Sequence, residues 1–229
     1  MAAQPSSSVF LETYGCQMNV LDSELVQGQL VALGYSICQT PQEADVVLIN
    51  TCSVRQLSEE KVWSQLGRLG IQKRRRKELI IGVLGCMAER VGATFFDRMP
   101  HVDLVCGPAN LDRLPGLLDN ARRNRGMQLS LAGHTSRRSA TLSRAQDGVE
   151  SLDLSRASSP IDHEQGVPAY VRITRGCNKF CAFCIVPYVR GPELHRPPAQ
   201  IVDEVRRLVD QGAKEVTLIG QTVNHYVYA

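Results

Sequence analysis

Asp45-Val46-Val47-Leu48-Ile49-Asn50-Thr51-Cys52 contains four consecutive apolar residues between polar ones, with a cysteine three positions beyond. An unbroken apolar run of this length suits a strand buried on both faces, since an edge or half-exposed strand alternates instead. Working outward, Val9 to Tyr14 forms a strand that ends at Gly15. Asp22 then stands where a helix cap is expected, with Val26, Leu30 and Leu33 on one face at i, i+4 and i+7 and Gly34 as the stop. Downstream come a polar helix carrying Val62, Trp63 and Leu66, a third strand from Leu79 to Leu84, and a fourth from Val102 to Val105. A further helix is expected from Asn110 to Arg123. Strands alternating with helices predict an α/β fold with a parallel sheet and right-handed crossovers.

This first domain is expected over residues 8–124. From 125 to 166 the periodicity fades into Ser, Thr, Arg and Gly, as in Gly133-His134-Thr135-Ser136-Arg137-Arg138-Ser139. That composition predicts a linker, with room for one edge strand near Met127 to Leu131. Order returns in 167–229: a strand from Ala169 to Ile173, an amphipathic helix from Ala199 to Gln211, and a strand from Glu215 to Ile219. These make the first β-α-β unit of a second domain.

The chain has 229 residues and a formal net charge of +3, which permits a nucleic-acid partner without demanding one. No run of 18 apolar residues occurs, so no membrane span is expected. Met1 to Ser8 is polar and lacks the apolar core of a signal peptide, so a cytoplasmic location is expected. The basic clusters Lys73-Arg74-Arg75-Arg76-Lys77 and Arg122, Arg123, Arg125 are expected to be a solvated turn and a solvated helix end respectively. Eight cysteines are many for such a chain, and in a reducing compartment they point to metal or redox chemistry rather than disulfides.

Cys177, Cys181 and Cys184 are spaced C-x3-C-x2-C in the loop after the strand at Ala169. Three thiolates in one tight loop can reach three corners of a [4Fe–4S] cube and leave the fourth iron open. A structural zinc site would need four closed ligands, and His195 stands at no familiar zinc spacing from these cysteines. The spacing resembles that of the radical S-adenosylmethionine superfamily, in which the cofactor chelates the open iron. Phe183 occupies the position where that superfamily carries an aromatic residue.

Cys16, Cys52 and Cys86 are far apart in sequence, yet each lies just beyond an expected strand: Tyr14-Gly15-Cys16, Asn50-Thr51-Cys52 and Leu84-Gly85-Cys86. Ligands of an open parallel sheet bind at the carboxyl ends of its strands. Neighbouring strands run about 5 Å apart, so the three thiols can converge on one metal site. Three buried cysteines acting as small apolar residues would fit the same positions. Cys38 and Cys106 lack this context and are expected to be structural.

Thr13-Tyr14-Gly15-Cys16-Gln17-Met18-Asn19, Asn50-Thr51-Cys52-Ser53-Val54-Arg55 and Gly85-Cys86-Met87-Ala88-Glu89-Arg90 resemble the N-terminal domain of radical S-adenosylmethionine methylthiotransferases. Gly176 to Pro187, Arg190-Gly191 and Gly220-Gln221-Thr222-Val223-Asn224 are similar to the start of their radical domain. Gly-Cys-Gln-Met-Asn together with Gly-Cys-Met-Ala-Glu-Arg resembles the tRNA-2-methylthio-N6-dimethylallyladenosine synthase branch. The ribosomal-protein and threonylcarbamoyl-adenosine branches end their first motif differently.

The resemblance implies an α/β N-terminal domain followed by part of a (β/α) barrel. It implies two [4Fe–4S] clusters, one on Cys16, Cys52 and Cys86 and one on Cys177, Cys181 and Cys184, with S-adenosylmethionine as cofactor. Phe183 and Gln221 are implied as cofactor contacts, tRNA as substrate, and a flavodoxin or ferredoxin-type protein as electron donor. The implied reaction adds a methylthio group at C2 of N6-isopentenyladenosine beside the anticodon; no residue is singled out as acid, base or nucleophile. Such families continue into more of the barrel and a tRNA-binding β-domain, so a truncated and inactive chain is expected. A non-catalytic iron–sulfur module, or action on a ribosomal protein, are the alternatives. The sequence also departs from the family at Pro192, Leu194 and His195, where Arg, Arg and Ser are usual.

Overall fold

The computed structural model describes residues 7–54, 56–133 and 168–228. The first domain runs β1 (Ser8–Tyr14), α1 (Gln17–Ala32), β2 (Ser36–Ile37), β3 (Val46–Thr51), α2 (Gln56–Arg75), β4 (Ile80–Gly85), α3 (Cys86–Val91) and α4 (Thr94–Arg98). It continues with β5 (Leu104–Cys106), α5 (Leu114–Asn124) and β6 (Gln128–Ser130). All six strands are parallel, in the order β2-β1-β3-β4-β5-β6. The order reverses between β1 and β3, which opens a crevice at their carboxyl ends, the place where such sheets bind ligands.

The apolar run at Val46 is fully buried because both faces of the sheet are covered. Val46 and Leu48 join a core with Leu21, Leu25 and Leu30 of α1 and Leu118 of α5. Val47 and Ile49 point the opposite way, into a core with Val62, Leu66 and Leu69 of α2 and Phe95 of α4. A buried side chain of this size contributes about 1.5–3 kcal/mol, so both faces of β3 resist exposure.

Several expectations need correction. Asp22 does not cap α1; it is completely buried in the helix interior. Cys16 is the cap, in a capping box with Asn19, so the helix begins nearly two turns earlier than expected. Leu33 is 57% exposed and lies at the helix end rather than on its buried face. Gly34, at φ +87°, stops the helix as expected, and Tyr35 N–H returns to Leu30 O at 3.0 Å. The short elements β2, α3 and α4 were not expected; α3 and α4 carry too few turns to show helical periodicity. The edge strand appears as β6, parallel to β5. Residues 134–167 of the expected linker lie outside the described residues.

The second domain comprises β7 (Ala169–Arg172), β8 (Thr174–Arg175), α6 (Val186–Arg190), β9 (Leu194–His195), α7 (Pro198–Asp210) and β10 (Val216–Ile219). β7 pairs parallel with β10, and β8 pairs antiparallel with β9. Leu208 of α7 packs on Ala169 and Val171, closing the β-α-β unit. Ile219 and Tyr170 reach the α1 core of the first domain, so the two domains share apolar contacts.

The basic clusters divide between pairing and solvent. Lys73 is held by Asp103, Arg76 by Asp45 at 3.4 Å, and Arg125 by Glu78 at 2.5 Å. Arg122 lies over the Tyr35 ring.

Candidate functional site

The register Tyr14↔Thr51↔Gly85 places the ends of β1, β3 and β4 side by side. Cys16, Cys52 and Cys86 therefore emerge at one end of the sheet, at the strand-order reversal. A buried amide network fixes the backbone beneath them. Asn19 Nδ2 donates to Asn50 Oδ1 and Thr51 O, each at 3.3 Å. Asn50 Nδ2 donates to Asn19 O at 2.8 Å and Ser23 Oγ at 2.9 Å. Cys52 N–H closes on Tyr14 O at 2.9 Å.

Two of these cysteines follow glycines that no other residue could replace without movement. A Cβ on Gly15 would lie 2.5 Å from Asn19 Oδ1 and 2.9 Å from Cys52 Cβ. Gly85 has φ +92°, and its Cβ would meet Asn50 Oδ1 at 2.3 Å. Closely approaching backbone is what brings the three cysteines to one end of the sheet, onto one cavity.

The interaction between the neighbouring Cys16 and Cys52 thiols above all lowers the Cys16 thiol and raises that of Cys52. One proton between two sulfurs favours a thiolate at Cys16, at the N-terminus of α1. Burial raises the Cys86 thiol, against the pull of Arg190. All eight cysteines are free thiols.

Arg190, at the end of α6, crosses from the second domain. Its Nε donates to Cys86 Sγ at 3.2 Å and its Nη2 to Asp22 Oδ2 at 2.8 Å. Arg172 of β7 reaches the other oxygen, Asp22 Oδ1, at 3.4 Å. All three side chains are at most 3% exposed. Arg190 Nη1 is buried without a hydrogen-bond partner among the described residues.

The loop after β8 holds the second set. Gly176, at φ +73°, donates its N–H to Gln221 Oε1 at 2.8 Å, and a Cβ there would strike Pro192 O. Cys177 N–H then bonds to Gly191 O at 3.1 Å, and Cys184 N–H to Cys181 O at 2.9 Å.

The two sets open onto one cavity of about 490 Å³. Cys16, Cys52, Cys86, Cys177 and Cys184 line it, with Arg190 and Gln221. Its size suits a small-molecule ligand. Cys181 is exposed and Phe183 is 95% exposed; neither lines the cavity. Cys38 and Cys106 lie away from it, Cys106 being fully buried and donating to Asn110 O at 3.2 Å. The chemistry of the donors fits iron–sulfur groups: free thiols on close-packed backbone, and a buried guanidinium with hydrogen-bonding capacity to spare.

Asp22, Arg172 and Arg190 were missed as site residues. A signal for Asp22 was present: it sits four residues after Met18 and four before Val26, on the apolar stripe of α1. An acid on such a stripe needs a buried partner.

Comparison with known proteins adds two family matches. Residues 8–107 match the uncharacterized protein family UPF0004, and residues 171–228 match the radical SAM superfamily. A tRNA-2-methylthio-N(6)-dimethylallyladenosine synthase of Rhodopirellula baltica is 44% identical over 223 residues, covering 96% of this chain and 45% of that protein. Proteins of the same name from Syntrophotalea carbinolica and Ralstonia nicotianae are 42% and 43% identical, each over 96% of this chain and 47% and 44% of their own lengths. The chain thus spans about half the length of the curated relatives it matches.

Proposed function

The chain joins a UPF0004 domain to a radical SAM segment, and from that premise we propose that it serves a tRNA methylthiotransferase. The substrate position is C2 of N6-isopentenyladenosine, the chemistry named by the relatives. The observation that carries the proposal is the convergence of five cysteines from two domains on one cavity. Sulfur insertion at an unactivated carbon needs a radical source and a sulfur-bearing group close together, and one shared cavity meets that need.

Cys16, Cys52 and Cys86 would hold one [4Fe–4S] cluster; Cys177, Cys181 and Cys184 would hold another. When bound there with S-adenosylmethionine, the second cluster would supply one-electron radical chemistry. The protein's part is binding and orientation. Gln221 fixes the cysteine loop through Gly176 N–H and lines the cavity, which supports a cofactor contact. For Phe183 the support is the motif alone. Arg190 places a cation on Cys86 Sγ, where it offsets negative charge on the sulfur ligands. A flavodoxin or ferredoxin-type donor and a cytoplasmic site belong to the same reading. Among the described residues, no helix is long and apolar enough to cross a membrane.

Nucleoside analysis of tRNA from cells with this gene disrupted tests the substrate. Isopentenyladenosine should accumulate without its 2-methylthio group. Unchanged 2-methylthio-isopentenyladenosine would overturn the assignment.

A further inference from the structure

We infer that Glu193, His195 and His225 form a mononuclear site for a zinc-class divalent ion, separate from the cysteine cavity. Their donor atoms all lie within 4.8 Å of one another. Glu193 Oε1 stands 3.5 Å from His195 Nε2 and 3.1 Å from His225 Nδ1. Tetrahedral ligands with bonds of about 2.0–2.1 Å stand about 3.3 Å apart, so both separations suit a shared ion with little movement. None of the three residues lines the cysteine cavity.

The surroundings orient these ligands. Glu193 immediately precedes β9 and His195 ends it, and their side chains come within 3.5 Å of each other. His195 Nδ1 lies 2.5 Å from Val227 O and 3.1 Å from Val227 N. In the tautomer with Nδ1 donating to Val227 O, Nε2 presents its lone pair on the Glu193 side; in the tautomer with Nδ1 accepting the Val227 N–H, Nε2 donates to Glu193. In the first tautomer two acceptors face each other, an arrangement that a shared cation satisfies. A backbone carbonyl holding the far nitrogen of an imidazole is the usual support of a metal-ligating histidine. Glu193 is held in turn by Thr222 Oγ1, and its N–H donates to Asn178 Oδ1 at 3.1 Å. The Glu193 side chain is 5% exposed and that of His225 59%, so the site has a buried anchor and an open mouth. Two imidazoles and a carboxylate, with a fourth position for water, suit zinc, cobalt or nickel better than magnesium or calcium.

An ion here would tie the 3-10 turn Val223–His225 to the loop that ends in β9, beside Gln221. The site stands on its own residues, whether or not the cysteines carry clusters.

Imidazole nitrogen NMR tests it, because the readout lies on histidine and thiol binding of zinc leaves it untouched. In the full chain, near-stoichiometric Zn²⁺ should shift the His195 and His225 ring nitrogens together. His101, whose Nε2 is paired with Leu66 O at 2.7 Å, should stay in place. Glu193→Gln and His225→Asn should each weaken Zn²⁺ binding at this site about tenfold or more by chelator competition. The fold of each variant is checked by fluorescence of Trp63. Unmoved His195 and His225 signals, or equal affinity in folded variants, would overturn the site and leave a protonated ion pair in its place.

Discussion

Arg190→Met tests the link between the two domains. Arg190, its side chain 3% exposed, bonds to Asp22 and Cys86 across the domain boundary. Burial disfavours its charge, but Asp22 and the nearby sulfurs outweigh that and keep it protonated. Met removes both hydrogen bonds at similar length. Asp22, completely buried, is then left with Arg172 alone at 3.4 Å. Removing one partner of a buried ion pair costs about 3–5 kcal/mol. At 1.4 kcal/mol per factor of ten, that is roughly a hundred- to several-thousand-fold rise in local opening. Hydrogen–deuterium exchange of peptides within 168–191 reads this directly, with peptides from β3 as the reference. Adding Asp22→Asn should cost less than the sum of the single changes, because the uncompensated charge is removed. Exchange raised by less than about threefold in Arg190→Met, or fully additive variants, would refute the reasoning.

Gly85→Ala should destabilise the first domain by about 1–3 kcal/mol in urea unfolding followed at Trp63, since φ +92° and a 2.3 Å contact with Asn50 Oδ1 both oppose a Cβ; an unchanged midpoint contradicts this. Cys106→Ala should leave iron content unchanged while Cys52→Ala lowers it, because only Cys52 faces the cavity; equal iron loss would show that burial, not ligation, governs both. Burial raises the Glu89 carboxyl, against the N–H bonds from Ala132 and Gly133. Its contribution to stability is thus full below the usual carboxylate range and lost as pH rises through the raised value. The stability of the parent chain minus that of Glu89→Gln should therefore fall as pH rises above the usual carboxylate range, and a flat difference would exclude the effect.

Much of the parallel sheet was legible because β3 and β4 are covered on both faces and so write themselves as unbroken apolar runs. The Gly-Cys pairs at 15–16 and 85–86 were legible for a related reason, since the backbone must approach closely where strands end. Asp22 was misread because an acid near a helix start normally caps it. Only the tertiary partners Arg172 and Arg190, 150 and 168 residues away, explain its burial. His195 stood out only as a departure from the family pattern and as a zinc ligand at no familiar spacing from the cysteines. Its neighbours Glu193 and His225 come together through a turn that no local periodicity announces.

Iron and acid-labile sulfide counting after anaerobic reconstitution tests the paired-cluster claim most directly. The account predicts about eight irons per chain, and about four in Cys16→Ala and four in Cys181→Ala, each variant keeping the other cluster's absorbance. About four irons in the parent chain with Cys16→Ala unchanged, or tightly bound zinc without sulfide, would contradict it.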